Sequence, residues 1–419
     1  MRHATVKQCA VLVGGLGSRL GSLTANTPKP LLPCGDRPFL AWLARELVRF
    51  GVTDIVLLTG YLSDQVVTAA AAIEASLPRP ARITISEEPF RAGTGGAIYH
   101  ARDRLDDRFL LCNGDSLLDC NLANLLAAAA GDDAGVTGRM LLRDLPDASR
   151  FGVVALEADR IIGFRERPAA GSRLAGQAGV INAGIYLFHR RLIDGLSPSC
   201  SLEADVMPPL AAAGALRGTV GGGYFRDIGV PDDFARAQTE IPALLRRRAL
   251  FLDRDGVLNV DHGYVGSRER FEWVPGALDA IRYATQAGWH VFVVTNQSGV
   301  ARGYYDEEAV RDLLAWMADE ARRAGGTIDD SRYCPFHEEA SVEAYRRAHH
   351  WRKPEPGMLL DLIRAWQIDP AQAVLVGDKD TDLEAAAAAG VRAEKFTEDN
   401  LQSVVLPLLR QLAASPAPA

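Results

Sequence analysis

Val11-Leu12-Val13-Gly14-Gly15-Leu16-Gly17-Ser18-Arg19 decides how the first half of this chain folds. An apolar run passes straight into a cluster of glycines, as when a buried strand ends in a tight turn before a helix. Glycine lets the main chain approach a ligand closely and exposes amide donors at a helix start, which suits phosphate. The stretch is not a P-loop, because no Gly-Lys-Ser/Thr follows. It is not a dinucleotide fingerprint either, because Leu20 takes the place of the last glycine. Taken alone, it could be no more than a turn.

Further along, Lys29 stands between Pro28 and Pro30, which restrict the backbone and so fix the direction of the lysine. A preoriented ammonium together with Arg19 suits a triphosphate tail. Cys112-Asn113-Gly114-Asp115 ends another apolar run. Open α/β sheets bind ligands at the carboxyl ends of their strands, although a lone Asp there is as often a turn former. Tyr224-Phe-Arg-Asp227-Ile-Gly229 supplies a second carboxylate. Asp115 and Asp227 converging on Mg²⁺ would neutralise phosphate charge during nucleotidyl transfer.

Around these residues, candidate strands at 10–13, 55–59, 82–86 and 109–112 alternate with helical patterns at 40–50 and 121–130. Hairpin-like strands follow at 151–164 and another strand at 180–188. The expectation is a mixed, doubly wound α/β sheet of Rossmann type. The alternation restarts at Leu250-Phe-Leu-Asp253-Arg254-Asp255-Gly256, with strands at 249–252, 290–295 and 373–376. Helices are expected at 277–287, 307–323, 358–366 and 383–389. This gives a second, parallel α/β domain. The expected division is 1–240, a linker at 241–248, 249–412, and a loose Ala/Pro/Ser tail at 413–419.

The bulk numbers agree with two domains of ordinary size in one chain. There are 419 residues, 48% hydrophobic and 24% charged, with net charge −7 and no basic stretch. That argues against nucleic acid as a partner. No apolar run approaches about 18 residues, so no membrane span is expected. Residues 1–8 do not read as a secretory signal. Six dispersed cysteines without a Cys-x-x-Cys pair read as free thiols in a reducing cytoplasm. Of 46 basic residues only five are lysine, at 7, 29, 353, 379 and 395, and three of these fall in motifs. An ammonium and a guanidinium are not equivalent at a phosphate.

In the second half, Asp253 and Asp255 are two residues apart, and in extended chain such side chains point the same way. Such a pair suits a nucleophile beside a general acid/base. A calcium loop would need more oxygen ligands than Val257 and Leu258 allow. Thr295-Asn296-Gln297-Ser298 ends a buried strand in small polar groups. Arg352-Lys353-Pro354 offers cations. Gly377-Asp378-Lys379-Asp-Thr-Asp382 ends another strand in carboxylates. These strand ends are expected to meet along one sheet edge.

Two resemblances follow from these motifs. Residues 8–240 resemble the sugar-1-phosphate nucleotidyltransferase family. The motifs occur in order: the glycine loop, Pro28-Lys29-Pro30, Glu88-Pro-Phe-Arg-Ala-Gly93-Thr94-Gly-Gly96, Asn113-Gly114-Asp115, Phe164-Arg-Glu166-Arg167, Asn182-Ala-Gly184 and Asp227-Ile-Gly-Val-Pro. The variants Gly-Thr-Gly-Gly-Ala and Asp-Ile-Gly-Val-Pro-Asp-Asp-Phe are most similar to the heptose 1-phosphate guanylyltransferases. The resemblance implies nucleotide binding by Gly14, Gly15, Gly17, Ser18, Gly93, Thr94, Asn113 and Gly114. It implies assistance to pyrophosphate loss by Arg19 and Lys29, Mg²⁺ on Asp115 and Asp227, and sugar phosphate on Glu166, Arg167 and Asn182. Arg167 stands where the family often has Lys.

Residues 250–400 resemble the haloacid dehalogenase superfamily, and within it the heptose 1,7-bisphosphate 7-phosphatases, with histidinol-phosphate phosphatase as near relative. Asn259-Val-Asp261-His262-Gly263-Tyr264-Val, Thr295 to Gly303, and Arg352 to Met358 carry this resemblance. It implies a minimal cap, Asp253 as nucleophile and Asp255 as general acid/base. Mg²⁺ would sit on Asp253, the carbonyl of Asp255, and Asp378, with Asp382 supporting it or only capping a helix. Substrate would meet Asp261, His262, Gly263, Tyr264, Thr295, Asn296, Gln297, Ser298, Arg352, Lys353 and Lys379. Many such phosphatases carry zinc on a Cys-x-His…Cys-x-Cys loop. Here the second cysteine pair is absent, and Cys334, His337, His349 and His350 are the remaining candidate ligands; loop histidines are also commonly just solvated.

Together the resemblances imply a cytoplasmic, Mg²⁺-dependent bifunctional enzyme, open to oligomerisation, that makes a nucleotide-activated heptose for a surface polysaccharide. Other hexose 1-phosphates, or a first domain that only senses a sugar nucleotide, are the competing readings.

Overall fold

A computed structural model describes residues 6–148, 152–165 and 177–414, and divides them into two units, Met1–Leu245 and Arg246–Ala419. In the first, four parallel strands come first: β1 (Gln8–Leu12), β2 (Asp54–Thr59), β3 (Arg82–Glu87) and β4 (Arg108–Asn113). A short β5 (Ser116–Leu118) follows, then β6 (Gly138–Leu145), β7 (Val153–Glu157), β8 (Arg160–Arg165), β9 (Gly179–His189), β10 (Leu216–Gly221) and β11 (Phe225–Asp227). Nine of these make one mixed sheet in the order β3-β2-β1-β4-β9-β6-β10-β8-β7, while β5 and β11 pair separately. Strands buried on both faces need apolar residues at every position, hence the unbroken runs in the sequence. Val11 and Leu57 face one apolar layer with Leu40, Leu43 and Leu47; Ala10, Val56 and Leu58 face the other with Phe109 and Tyr186.

The second unit is a five-stranded, all-parallel sheet. Its strands are β12 (Ala249–Leu252), β13 (His290–Asn296), β14 (Asp330–Cys334), β15 (Ala373–Gly377) and β16 (Arg392–Lys395), in the order β14-β13-β12-β15-β16. Leu252 is in register with both Val293 and Val376, so Asp253, Thr295 and Asp378 leave the same edge. Leu250 and Leu252 pack to one side and Phe251 to the other. No helix among the described residues is long and apolar enough to cross a membrane.

Three expectations need correcting. Residues 241–245 finish the helix Pro231–Leu245 instead of forming a linker; Ile241 and Leu245 are buried, which holds the last turn in place. The final helix, Leu401–Ala414, takes in the first two residues of the expected tail. The glycine loop leads into a 3-10 segment, Ser18–Thr24, broken at Gly21 with φ 58°, and not into an α-helix. The helix that offers its N-terminus to the first site is Gly93–His100.

Two candidate active sites

In the first unit the β5–β11 ladder sets Asp227 opposite Ser116, and the Ile228 amide donates to the Asp115 carbonyl at 3.0 Å. That pairing brings together two aspartates more than a hundred residues apart. Between them lies Lys29, 5% exposed, its Nζ 2.6 Å from Asp115 Oδ2 and 3.5 Å from Asp227 Oδ1. The turn Lys29–Leu31 that aims the lysine starts at Pro28, whose carbonyl accepts the Leu31 amide at 2.8 Å. Burial, and then the nearness of Asp115, push the Asp227 carboxyl above the usual carboxylate range, although Lys29 opposes this. Gly229 allows the crowding: a Cβ there would lie 2.9 Å from both Arg19 Nη2 and Lys29 Nζ. Two carboxylates held this close fit a divalent cation, even with Lys29 and Arg19 beside them.

A cavity of about 300 Å³ opens beside this cluster, lined by Gly14, Gly15, Lys29, Gly93, Thr94, Asn113 and Asp115. Gly17, Ser18, Arg19 and Gly114 do not line it. Two further carboxylates do. Glu88 accepts the Ala92 amide at 3.0 Å, and burial raises its pKa. Glu203 accepts the Thr94 hydroxyl at 2.6 Å. Glu88 lies at the start of the Gly93-Thr94 motif and was legible there; Glu203 comes from another segment, and nothing local marks it. Asn182 sits at a bulge of β9, where its side chain donates to Tyr186 and accepts from the Gly184 amide. Glu166 and Arg167 lie outside the described residues.

In the second unit Lys353 plays the corresponding part. Its buried Nζ is 2.8 Å from Asp253 Oδ1 and 2.5 Å from Asp382 Oδ1, and donates to the Val294 carbonyl at 3.0 Å. Ligand oxygens of Asp253, Asp378 and Asp382 lie within 4.8 Å of one another. Burial pushes Asp253 up to about 6 against the pull of Lys353, and burial also raises Asp378, whose buried Oδ1 has no hydrogen-bond partner. An orphaned oxygen beside two more buried carboxylates fits a hard divalent cation such as Mg²⁺. Asp382 does more than cap: its Oδ2 accepts the Lys379 amide at 3.1 Å while its other oxygen faces Lys353. Gly256, with φ 90°, leaves room for Asp378; a Cβ would come within 2.4 Å of Asp378 Oδ2.

The carboxylate of Asp255 is not in that cluster. The strand ends at Leu252, so the extended-chain alternation does not reach it. Asp255 accepts from Arg254 Nη2 at 2.8 Å, Asn259 Nδ2 at 3.1 Å and Gln297 Nε2 at 2.9 Å. Gln297, itself held by the Tyr305 hydroxyl, is buried and positions Asp255 instead of facing the cavity. The cavity, about 330 Å³, is lined by Asp253, Asp255, Asp261, Gly263, Tyr264, Thr295, Asn296, Ser298, Lys353 and Lys379. Asn296 clasps the Lys353 backbone through both its amide atoms. His262 instead pairs with Glu272 at the surface, and Arg352 lines an adjoining cavity.

The structure does not gather the candidate zinc ligands Cys334, His337, His349 and His350 into one group. Among the described residues, the only group of three or more potential ligands within mutual reach is the aspartate cluster. His337 Nδ1 and His349 Nδ1 instead accept the amides of Glu339 and Trp351. The loop is held by stacked groups: Arg347 lies 4.1 Å from the Phe336 ring, Phe336 4.4 Å from His349, and His349 4.5 Å from His350.

Both units match known families. Residues 9–243 match the nucleotidyl transferase family, and residues 350–394 match HAD-like hydrolases. A D-glycero-beta-D-manno-heptose-1,7-bisphosphate 7-phosphatase of Rhodopseudomonas palustris is 48% identical over 167 residues, 40% of this chain and 93% of that protein. The Escherichia coli protein of the same name is 46% identical over 143 residues, 34% of this chain and 75% of its own length. The crystal structure of HddC from Yersinia pseudotuberculosis overlays with a TM-score of 0.49 at 26% identity, covering 56% of this chain and 98% of that one. The chain therefore belongs to the nucleotidyl transferase family, and it joins to that domain a C-terminal phosphatase of the HAD-like family whose curated relatives are heptose-bisphosphate 7-phosphatases.

Proposed function

We propose that the second unit removes the 7-phosphate of D-glycero-D-manno-heptose 1,7-bisphosphate. The first unit then transfers a guanylyl group from GTP to the heptose 1-phosphate, releasing pyrophosphate. The observation that carries this reading is the pair of lysine-centred aspartate clusters, each beside a cavity, in a chain that covers 93% of a named heptose-bisphosphate phosphatase.

In the phosphatase, Asp253 attacks phosphorus as the bond to the C7 oxygen breaks, leaving the phosphoryl group on Asp253. Asp255 gives its proton to the departing oxygen, then takes one from the water that frees phosphate. Arg254, Asn259 and Gln297 keep Asp255 aimed through both steps. Lys353 and Thr295 steady the phosphoryl oxygens. Mg²⁺, held by Asp253, Asp378 and the backbone at Asp255, would supply charge neutralisation. In the first unit an oxygen of the sugar phosphate attacks the α-phosphorus of the nucleotide. Lys29 and Arg19 offset charge on the departing pyrophosphate, and Asp115 and Asp227 would hold Mg²⁺ there. The Glu88 carboxylate in the nucleotide cavity suits guanine, whose pairing edge offers two neighbouring N–H donors.

The test is to give the intact protein heptose 1,7-bisphosphate, Mg²⁺ and each nucleoside triphosphate in turn, and to weigh the product. GDP-heptose with GTP is expected. Equal or better yield from mannose or glucose 1-phosphate, or from another triphosphate, would overturn the assignment.

A further inference from the structure

Asp255 has to give a proton to the departing oxygen and later take one from water, so its carboxyl group must stay aimed in both protonation states. Part of that aim comes through Gln297. Both N–H groups of the Gln297 amide are used: one donates to Asp255 Oδ2 at 2.9 Å, the other to Thr295 Oγ1 at 2.8 Å. Its carbonyl oxygen accepts the Tyr305 hydroxyl at 2.8 Å. Gln297 and Thr295 are each 1% exposed, so neither has bulk water to fall back on.

The two ends of a side-chain amide have nearly the same shape, and turning it over exchanges its donors for its acceptor. While Asp255 is ionised, the flipped form is disfavoured because two acceptors would meet. Once Asp255 is protonated that bar is gone, and a flipped carbonyl could take the proton that the leaving oxygen needs. The Tyr305 hydroxyl then holds the amide the right way round, since a phenol is a stronger donor than acceptor. The same orientation settles Thr295. The Gln297 N–H occupies one lone pair of its oxygen, which leaves the Thr295 hydrogen free for a phosphoryl oxygen in the cavity that Thr295 lines.

The place of Tyr305 is itself built. A Cβ at Gly266 would come within 2.2 Å of its ring and one at Gly299 within 2.3 Å, so glycines from two separate stretches leave the slot that the ring fills. Burial raises the hydroxyl to about 12 against the nearby charge of Arg254, so it keeps its proton at neutral pH.

We propose that Tyr305 is a positioning residue of the phosphatase: by fixing the Gln297 carbonyl, it keeps both amide donors turned to Asp255 and Thr295 throughout the catalytic cycle. This rests on Asp255 acting as the general acid/base.

Full-length wild type, Tyr305→Phe, Gln297→Leu and the double variant are assayed with Mg²⁺ on heptose 1,7-bisphosphate and on p-nitrophenyl phosphate. Tyr305→Phe removes the hydroxyl and keeps the ring in its slot. It is expected to lower kcat by about three- to tenfold, the worth of one hydrogen bond, with KM unchanged. Because Tyr305 acts through Gln297, the double variant is expected to be no slower than Gln297→Leu alone. Losses that multiply in the double variant would mean that Tyr305 acts elsewhere, and overturn the proposal. An unchanged kcat in Tyr305→Phe overturns it too, as does a loss confined to KM, which would make Tyr305 a substrate contact. Melting temperatures are followed alongside, and a kcat loss that comes with a melting temperature well below wild type also counts against it. Wild type that cleaves p-nitrophenyl phosphate but not the heptose ester would sink the heptose assignment, while the four-way comparison on p-nitrophenyl phosphate still decides the role of Tyr305.

Discussion

Replacing Lys353 with methionine keeps the length of the side chain and removes its charge. The ammonium is 3% exposed and stands between two buried carboxylates, with Asp378 in the same cluster. Removing one partner of a buried ion pair costs about 3–5 kcal/mol, because the other charge is left uncompensated. The sign with pH follows from Asp253, whose carboxyl burial already pushes to about 6. A carboxyl whose folded pKa is raised favours the fold while protonated and penalises it once ionised. The penalty is thus absent below the ordinary Asp value of about 3.9 and grows as pH rises through the folded value. Lys353→Met raises that folded value further, so its destabilisation is largest near neutral pH and shrinks on acidification. Mg²⁺ recovers part, about 2.7 kcal/mol at a hundredfold excess over its Kd. Urea unfolding followed by tryptophan fluorescence is the assay, since Trp42 is the only one of six tryptophans outside the second unit. A wild-type midpoint for Lys353→Met in EDTA would refute the reasoning. So would a Lys353→Met/Asp253→Asn double variant no more stable than the single one.

Three further outcomes are expected. Asp115→Ala should slow pyrophosphate release by about 10²–10³-fold, and near-normal release would remove Asp115 from the chemistry. Gln297→Leu takes a donor from Asp255 and should lower phosphatase kcat by about tenfold with little change in KM; a pure KM effect would mean that Gln297 touches substrate instead. The purified protein should carry no stoichiometric zinc, and chelation should leave its melting temperature unchanged. His349→Ala should lower stability by about 0.5–1.5 kcal/mol for each neighbouring ring that it unstacks, whereas one zinc per chain by elemental analysis would contradict the stacked-ring account.

Asp115, Asp253 and Asp378 could be read from sequence because each ends or follows an unbroken apolar run, and only a strand buried on both faces needs one. The partnership of Asp115 with Asp227 was legible only through family motifs, since it depends on a two-strand ladder closing across more than a hundred residues. Asp255 lines the same cavity as Asp253, although the strand ends at Leu252 and alternation within a strand is not what brings it there. Arg254 looks like a surface cation in sequence but is fully buried, bonded to Asp255 and to the Val265 carbonyl. The Cys/His loop shows the limit of composition: ligand-type residues were present but are not gathered into one group, and one ring nitrogen each of His337 and His349 accepts a backbone amide.

Both units park an ammonium between two aspartates, in sheets of different topology. A guanidinium is a wide planar fork and cannot occupy so narrow a gap without prising the carboxylates apart. One base change turns a lysine codon into an arginine codon, and this chain has accepted arginine for nearly all its positive charge. At Lys7 or Lys395, which are exposed, that drift would pass unnoticed. At positions 29 and 353 it would disable a domain, so the most conservative exchange in the genetic code becomes, at these two codons, among the least tolerable.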